Sequence, residues 1–109
     1  MKQFEQFVWH DLPVQEITFS AIGLKLVVTP YNENAEEYDK YCLELEGNFV
    51  YSLQGSFTSD SLEQLEVATL NYDLLENGTI SGKLGLLPGD DGYWTISFQS
   101  AMWKLYQVT

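Results

Sequence analysis

FVWHDLPVQEITF, residues 7–19, holds the only histidine of the chain, His10, set between Trp9 and Asp11. An imidazole beside a carboxylate can ligate a metal, act as a general base or fix a fold. Zinc prefers nitrogen and sulfur donors, and the chain can add only Cys42 and carboxylates, so no metal site is expected. A dinuclear phosphohydrolase built on a His-Asp pair would need further histidines, and there are none. Composition alone allows a Ser-His-Asp or Cys-His arrangement, but no G-x-S-x-G elbow occurs. Cys42 alternates with Tyr41 and Leu43 on an expected strand and does not open a helix that would lower its pKa. The residues therefore point to a structural anchor of Trp9, His10 and Asp11. His10 is expected to pack near the core edge or to bond a loop carbonyl, and no catalytic residue is assigned.

The carboxylates are too numerous for any pair to be diagnostic. Asp90-Asp91 lies in PGDDG, where glycine, proline and aspartate are what a turn selects, so a turn is expected there in preference to a calcium loop. A glycosidase needs two carboxylates converging in a cleft, and nothing selects such a pair. Their distribution says more. Glu33, Glu36, Glu37, Asp39, Glu44 and Glu46 form one block, relieved only by Lys40, and Asp60, Glu63, Glu66, Asp73 and Glu76 form a second with no lysine. Such blocks can simply solvate a small β protein and blunt its edges. Studded with Tyr31, Tyr38 or Tyr93, they can also form an acidic face that docks a basic partner. The first block with Tyr38 is taken as the candidate partner-binding set.

Five lysines and no arginine stand against sixteen carboxylates, a net charge of −11. Such a surface has no basic stripe to displace counterions, which argues against binding nucleic acid or anionic membranes. The missing arginines also remove the planar fork that grips phosphate or carboxylate at two points, and no cofactor is expected. Cys42 is alone, so no intramolecular disulfide can form, and MKQFEQFVWHDLP lacks an apolar segment of signal-peptide length. A cytoplasmic location is the expectation, under which the glycosylation pattern Asn77-Gly78-Thr79 has no chemical meaning. No run approaches the length of a membrane span.

These side chains must be positioned by strands. The 109 residues fit one domain, 1–109, and 15% aromatic content suits pleated, half-buried surfaces. A turn at Ile22-Gly23 would set Ile17, Phe19 and Ala21 opposite Val28, Leu26 and Leu24. In YDKYCLELEGNFVYSLQG, a three-residue loop at Glu46-Gly47-Asn48 would align Tyr41, Leu43 and Leu45 with Leu53, Tyr51 and Phe49. A three-residue loop at Glu76-Asn77-Gly78 would pair Leu74 with Ile80, Tyr72 with Gly82 and Leu70 with Leu84, with Gly78 in left-handed conformation. In the last segment Trp94, Ile96 and Phe98 are out of phase with Ala101, Trp103 and Leu105, which demands a bulge near Gln99 and Ser100. Residues 29–40 read as a polar loop, and Ser61 with Gln64 has the spacing of a capping box for one helical turn. The fold expected is all-β: an antiparallel β-sandwich or strongly bent barrel of about eight strands built from consecutive hairpins, with little or no helix.

The opening WHD followed by Leu12, Val14, Glu16-Ile17 and Phe19, then a short hairpin and a late WTISFQSA strand, resembles small uncharacterised bacterial domains. Some of these are immunity proteins of polymorphic toxin systems. The resemblance covers most of the chain in order of elements, through a short and degenerate motif. It implies a cytoplasmic β domain that neutralises a toxin by direct binding without catalysis, with His10-Asp11 as a fold feature. The leading expectation is thus a non-enzymatic protein-binding domain, immunity-like, presenting an acidic face to a basic protein partner such as a toxin. The alternatives are a small-molecule binding or catalytic β domain using His10 and Asp11 beside aromatics such as Trp94, and a homo-oligomeric structural domain whose edge strands pair.

Overall fold

The computed structural model describes residues 2–89 and 91–108. Eight strands follow in order: β1 (Leu12–Phe19), β2 (Gly23–Val28), β3 (Tyr31–Asn32), β4 (Glu37–Tyr38), β5 (Tyr41–Gln54), β6 (Glu66–Leu74), β7 (Ile80–Leu87) and β8 (Tyr93–Gln107). One 3-10 turn, Ser61–Gln64, lies between β5 and β6, and no α-helix is present among the described residues. Six strands close into an antiparallel barrel in the order β1-β2-β5-β8-β7-β6, with β3-β4 as a separate two-stranded hairpin. The expected all-β class holds, in its barrel form.

Period-two alternation builds the interior. Leu26, Val28, Leu43, Leu45, Ile80, Leu84, Leu86, Ile96 and Phe98 are buried in one cluster, each side chain contributing about 1.5–3 kcal/mol of transfer free energy. The β6-β7 hairpin has the expected register, Leu74 opposite Ile80, Tyr72 opposite Gly82 and Leu70 opposite Leu84. Its loop closes by Gly78 N–H donating to Leu75 O at 3.0 Å. Gly78 sits at φ 85, where a side chain would be strained. The bulge in β8 is also where the phase switch placed it. Ser100 has φ 48 and the pairing with β5 shifts between Glu46 and Asn48. The displaced Ser100 N–H is satisfied by Ser81 Oγ at 2.9 Å. Because of that extra residue, Ala101 stays buried like Phe98 and Ile96, and one long strand serves the whole barrel wall.

Other expectations are corrected. Residues 41–54 are one continuous strand with no hairpin at Glu46-Gly47-Asn48, and its partner along the full length is β8, from Tyr41 opposite Gln107 to Gln54 opposite Tyr93. The β1-β2 turn is at Ala21-Ile22, one residue earlier than expected, so Ile17 faces Leu26 and Phe19 faces Leu24. The reason is Gly23, which belongs to β2, where a Cβ would run into the carbonyl oxygen of Leu45 on β5. Ser20 Oγ meanwhile accepts from Gly23 N–H at 3.1 Å and holds the turn. Residues 29–40 are a loop only in part, since they include β3 and β4. The 3-10 turn is capped reciprocally by Thr58 and Ser61, with Thr58 N–H to Ser61 Oγ at 2.9 Å and Ser61 N–H to Thr58 Oγ1 at 3.2 Å, and not by Ser61 and Gln64. In the PGDDG turn, Asp90 lies outside the described residues.

Candidate functional site

Trp9 is buried, and its Nε1–H donates to Phe4 O at 2.8 Å. His10 Nδ1 lies 2.7 Å from Ala68 O, and Nε2 lies 3.3 Å from Asp11 Oδ2. A carbonyl only accepts, so Nδ1 carries a proton in this contact. Asp11 takes a left-handed backbone, φ 62, and its N–H donates to Val67 O at 2.8 Å. Ala68 is the extra residue of a bulge in β6, where the pairing with β7 shifts between Val67 and Thr69. A bulge interrupts the ladder and leaves backbone groups in need of partners. His10 and Asp11 supply two of them, clipping the N-terminal segment to β6 beside the short β1-β6 seam at Leu12–Val67 and Pro13–Glu66.

That geometry is poor for catalysis. The side chains of His10 and Asp11 are 68% and 65% exposed. Neither lines the open cavities at Glu44–Met102, Ser56–Asp91 or Gln15–Val108. Trp94, the aromatic considered beside them, is buried in the barrel against Phe57 and Phe19. Its Nε1 has no hydrogen-bond partner among the described residues. Among the described residues, no group of three or more His, Cys, Asp and Glu side chains converges as a metal ion would require.

The acidic block divides in two. Glu33, Glu36, Glu37 and Asp39 belong to the β3-β4 hairpin and its edges. Asn32 shapes it: Oδ1 accepts from Asn34 N–H at 3.1 Å and Ala35 N–H at 3.2 Å, while Nδ2 donates to Asp39 Oδ2 at 3.1 Å. Glu36, at φ 54, completes the turn. Across the hairpin Tyr31 pairs with Tyr38, their rings edge-to-face at 5.1 Å, and the residues are 53% and 67% exposed. Glu33, Glu36 and Glu37 are exposed around this pair, whereas Asp39 is half-buried.

Glu44 and Glu46 lie instead on the outer barrel wall. Glu44 stands in register between Lys25 of β2 and Lys104 of β8, so its charge is offset locally. Tyr106, next along that wall, has its phenol held well above the usual tyrosine range by a hydrogen bond with Cys42, with burial and Glu44 adding to it. Glu46 stands between Gly23 and Met102, and Met102 is 61% exposed. The sequence block thus mixes a projecting acidic hairpin with two residues of the barrel wall, of which Glu44 is charge-balanced by lysines distant in sequence.

Comparison with known proteins adds no relative: no family model, no curated protein and no solved structure matches the chain. No helix among the described residues is long and apolar enough to cross a membrane.

Proposed function

We propose that this chain is a non-enzymatic protein-binding domain whose β3-β4 hairpin docks on a basic protein partner. The observation that carries this reading is the Tyr31–Tyr38 pair, two large aromatic residues left more than half exposed on a hairpin that also presents Glu33, Glu36 and Glu37. Tyrosines supply rigid, amphipathic contact area at low entropic cost, and flanking carboxylates steer a cationic surface toward them. The immunity-like resemblance names one suitable class of partner, a basic toxin, and with it a cytoplasmic setting. The clip formed by His10 and Asp11 gives this function its frame and contributes no contact to the partner.

The test uses small basic nuclease domains as probes, titrated with the full chain at low and high salt. Wild type is expected to bind at least one probe with an affinity that falls steeply as salt rises, the mark of screened charge. Tyr31→Ala with Tyr38→Ala is expected to weaken that binding at least about tenfold, since exposed tyrosines at an interface act as anchors. Both side chains project from the barrel, so the melting temperature should be retained. Binding that ignores both salt and the double substitution would overturn the reading.

A further inference from the structure

The barrel closes with a large stagger, and the stagger leaves strand flanks without neighbours. β5 is paired along its whole length with β8, but on its other flank β2 reaches only from Tyr41 to Glu46. Beyond Gly47, whose N–H still donates to Ile22 O at 3.0 Å, no strand lies beside Asn48–Gln54 among the described residues. Backbone direction alternates along a strand. Gly47 points to the β2 side, so the N–H and C=O groups of Phe49, Tyr51 and Leu53 point to the open flank.

Two other open flanks are guarded. β6 beyond Thr69 carries Asp73, and Phe4 packs its ring 4.8 Å from Tyr72 there. β1 carries Glu16 and is bulged between Val14 and Glu16. The β5 flank has no side chain that blunts an edge: Asn48–Gln54 contains no lysine, no proline, no glycine and no charge at all. Val50 is 68% exposed and Leu53 47%.

We infer that Asn48–Gln54 is a self-pairing edge, joining two copies of this chain by antiparallel strand addition about a two-fold axis at Tyr51. The sequence is complementary to itself in that register. Tyr51 faces Tyr51 of the second copy and exchanges both backbone bonds with it, and Phe49 does the same with Leu53. Val50 faces Ser52, and the amides of Asn48 and Gln54 meet at the ends. Phe49, Tyr51 and Leu53 continue the core face, where Phe49 stacks on Tyr51 at 5.8 Å and Phe19 lies edge-on to Tyr51 at 5.1 Å. Two such clusters would come together across the axis. Net charge opposes contact between two copies of −11, and Asn48–Gln54 is a strip where two copies meet without bringing like side-chain charges together. The strip lies between Gly47 and Gly55, and a contact about a two-fold axis is isologous and closes at two copies.

Sedimentation equilibrium of the full chain tests this. Dimers are expected, and raising NaCl from about 0.05 M to about 0.5 M should strengthen them, because salt screens the repulsion between the acidic bodies. Val50→Lys places charges on the strip at an exposed position, and Leu53→Pro removes an N–H that points to the open flank. Each should weaken self-association at least about tenfold while leaving the β-type circular dichroism intact. Register is read by mixing chains carrying Val50→Cys with chains carrying Ser52→Cys, which should form a disulfide-linked pair under mild oxidation, since cross-strand neighbours have the needed Cβ separation. Cys42 is buried and takes no part. A wild type that stays monomeric at the highest concentration, or dimers that tolerate both Val50→Lys and Leu53→Pro, would overturn the inference. So would loss of basic-probe binding in these variants with no effect on self-association.

Discussion

The β3-β4 hairpin and the Asn48–Gln54 flank are set on one strand, the first just before β5 begins and the second where it ends. They meet solvent in opposite ways. The hairpin satisfies the N–H groups of Asn34 and Ala35 through Asn32 Oδ1, turns at Glu36, and displays carboxylates and tyrosines. The flank displays backbone, and its side chains are neutral. One surface attracts an opposite charge and should weaken as salt rises, while the other must overcome like charge and should strengthen. A net charge of −11 therefore describes neither surface well. What matters is where charge has been withheld.

The change with the largest expected effect separates the two surfaces outright. Val28 of β2 and Tyr41 of β5 are already opposite one another, so residues 30–39 can be replaced by Asn-Gly, with Thr29 and Lys40 left to flank the turn. The barrel should fold, basic-probe binding should fall by about a hundredfold or more, and sedimentation should show self-association unchanged. If the shortened chain also ceased to pair, the two surfaces would not be independent.

A smaller effect is expected from Glu33→Gln with Glu36→Gln and Glu37→Gln. Affinity for a basic probe should drop about tenfold at low salt and differ little at high salt, because steering by exposed charges is screened. Isothermal titration at two salt concentrations reads the difference. Glu44→Gln should matter much less, since Lys25 and Lys104 flank it. An equal loss from that substitution would mean that the outer barrel wall shares in docking.

How legible this was depended on whether the deciding contact was local. Gly78 and the face parity around it fixed the β6-β7 register, because turn and strands lie together in sequence. The β8 bulge was legible for the same reason, as a phase switch between Phe98 and Ala101. Residues 41–54 were not. A three-residue loop and an uninterrupted strand put the same side chains on the same face, so alternation could not tell them apart. The discriminating contact is that of Gly47 with Ala101, whose Cα would lie 3.1 Å from an added Cβ. The role of His10 was hidden in part: hydrogen bonding to a carbonyl was foreseeable, but Ala68 is 58 residues away and matters because β6 is bulged there. The acidic block was legible as composition, and its division into hairpin and wall was not, since the lysines that neutralise Glu44 come from two other strands. The open flank had a signal that could have been used, a charge-free run in a chain rich in acids.

Tyr51 offers the smallest and most discriminating change, because it belongs to the flank both by backbone and by ring. Its hydroxyl donates to Gly23 O at 3.0 Å, and burial raises its phenol above the usual 10.0. Tyr72 is raised in the same direction, by burial first and then by the charge of Glu5. In the unfolded chain these phenols lose their protons at the ordinary value, while the folded chain still holds them. Their contribution to stability is thus fully present below about pH 10 and is lost as pH rises through the folded values. The melting temperature should fall across that alkaline range. Tyr51→Phe should cost about 1 kcal/mol at neutral pH through the lost hydrogen bond, and its decline above about pH 10 should be shallower than that of wild type. Phenylalanine keeps the ring and the backbone groups, so self-association should survive the substitution. If it did not, the hydroxyl that ties Tyr51 to Gly23 would be what holds the flank straight enough to pair, and the edge would depend on the β1-β2 turn as well as on its own strand.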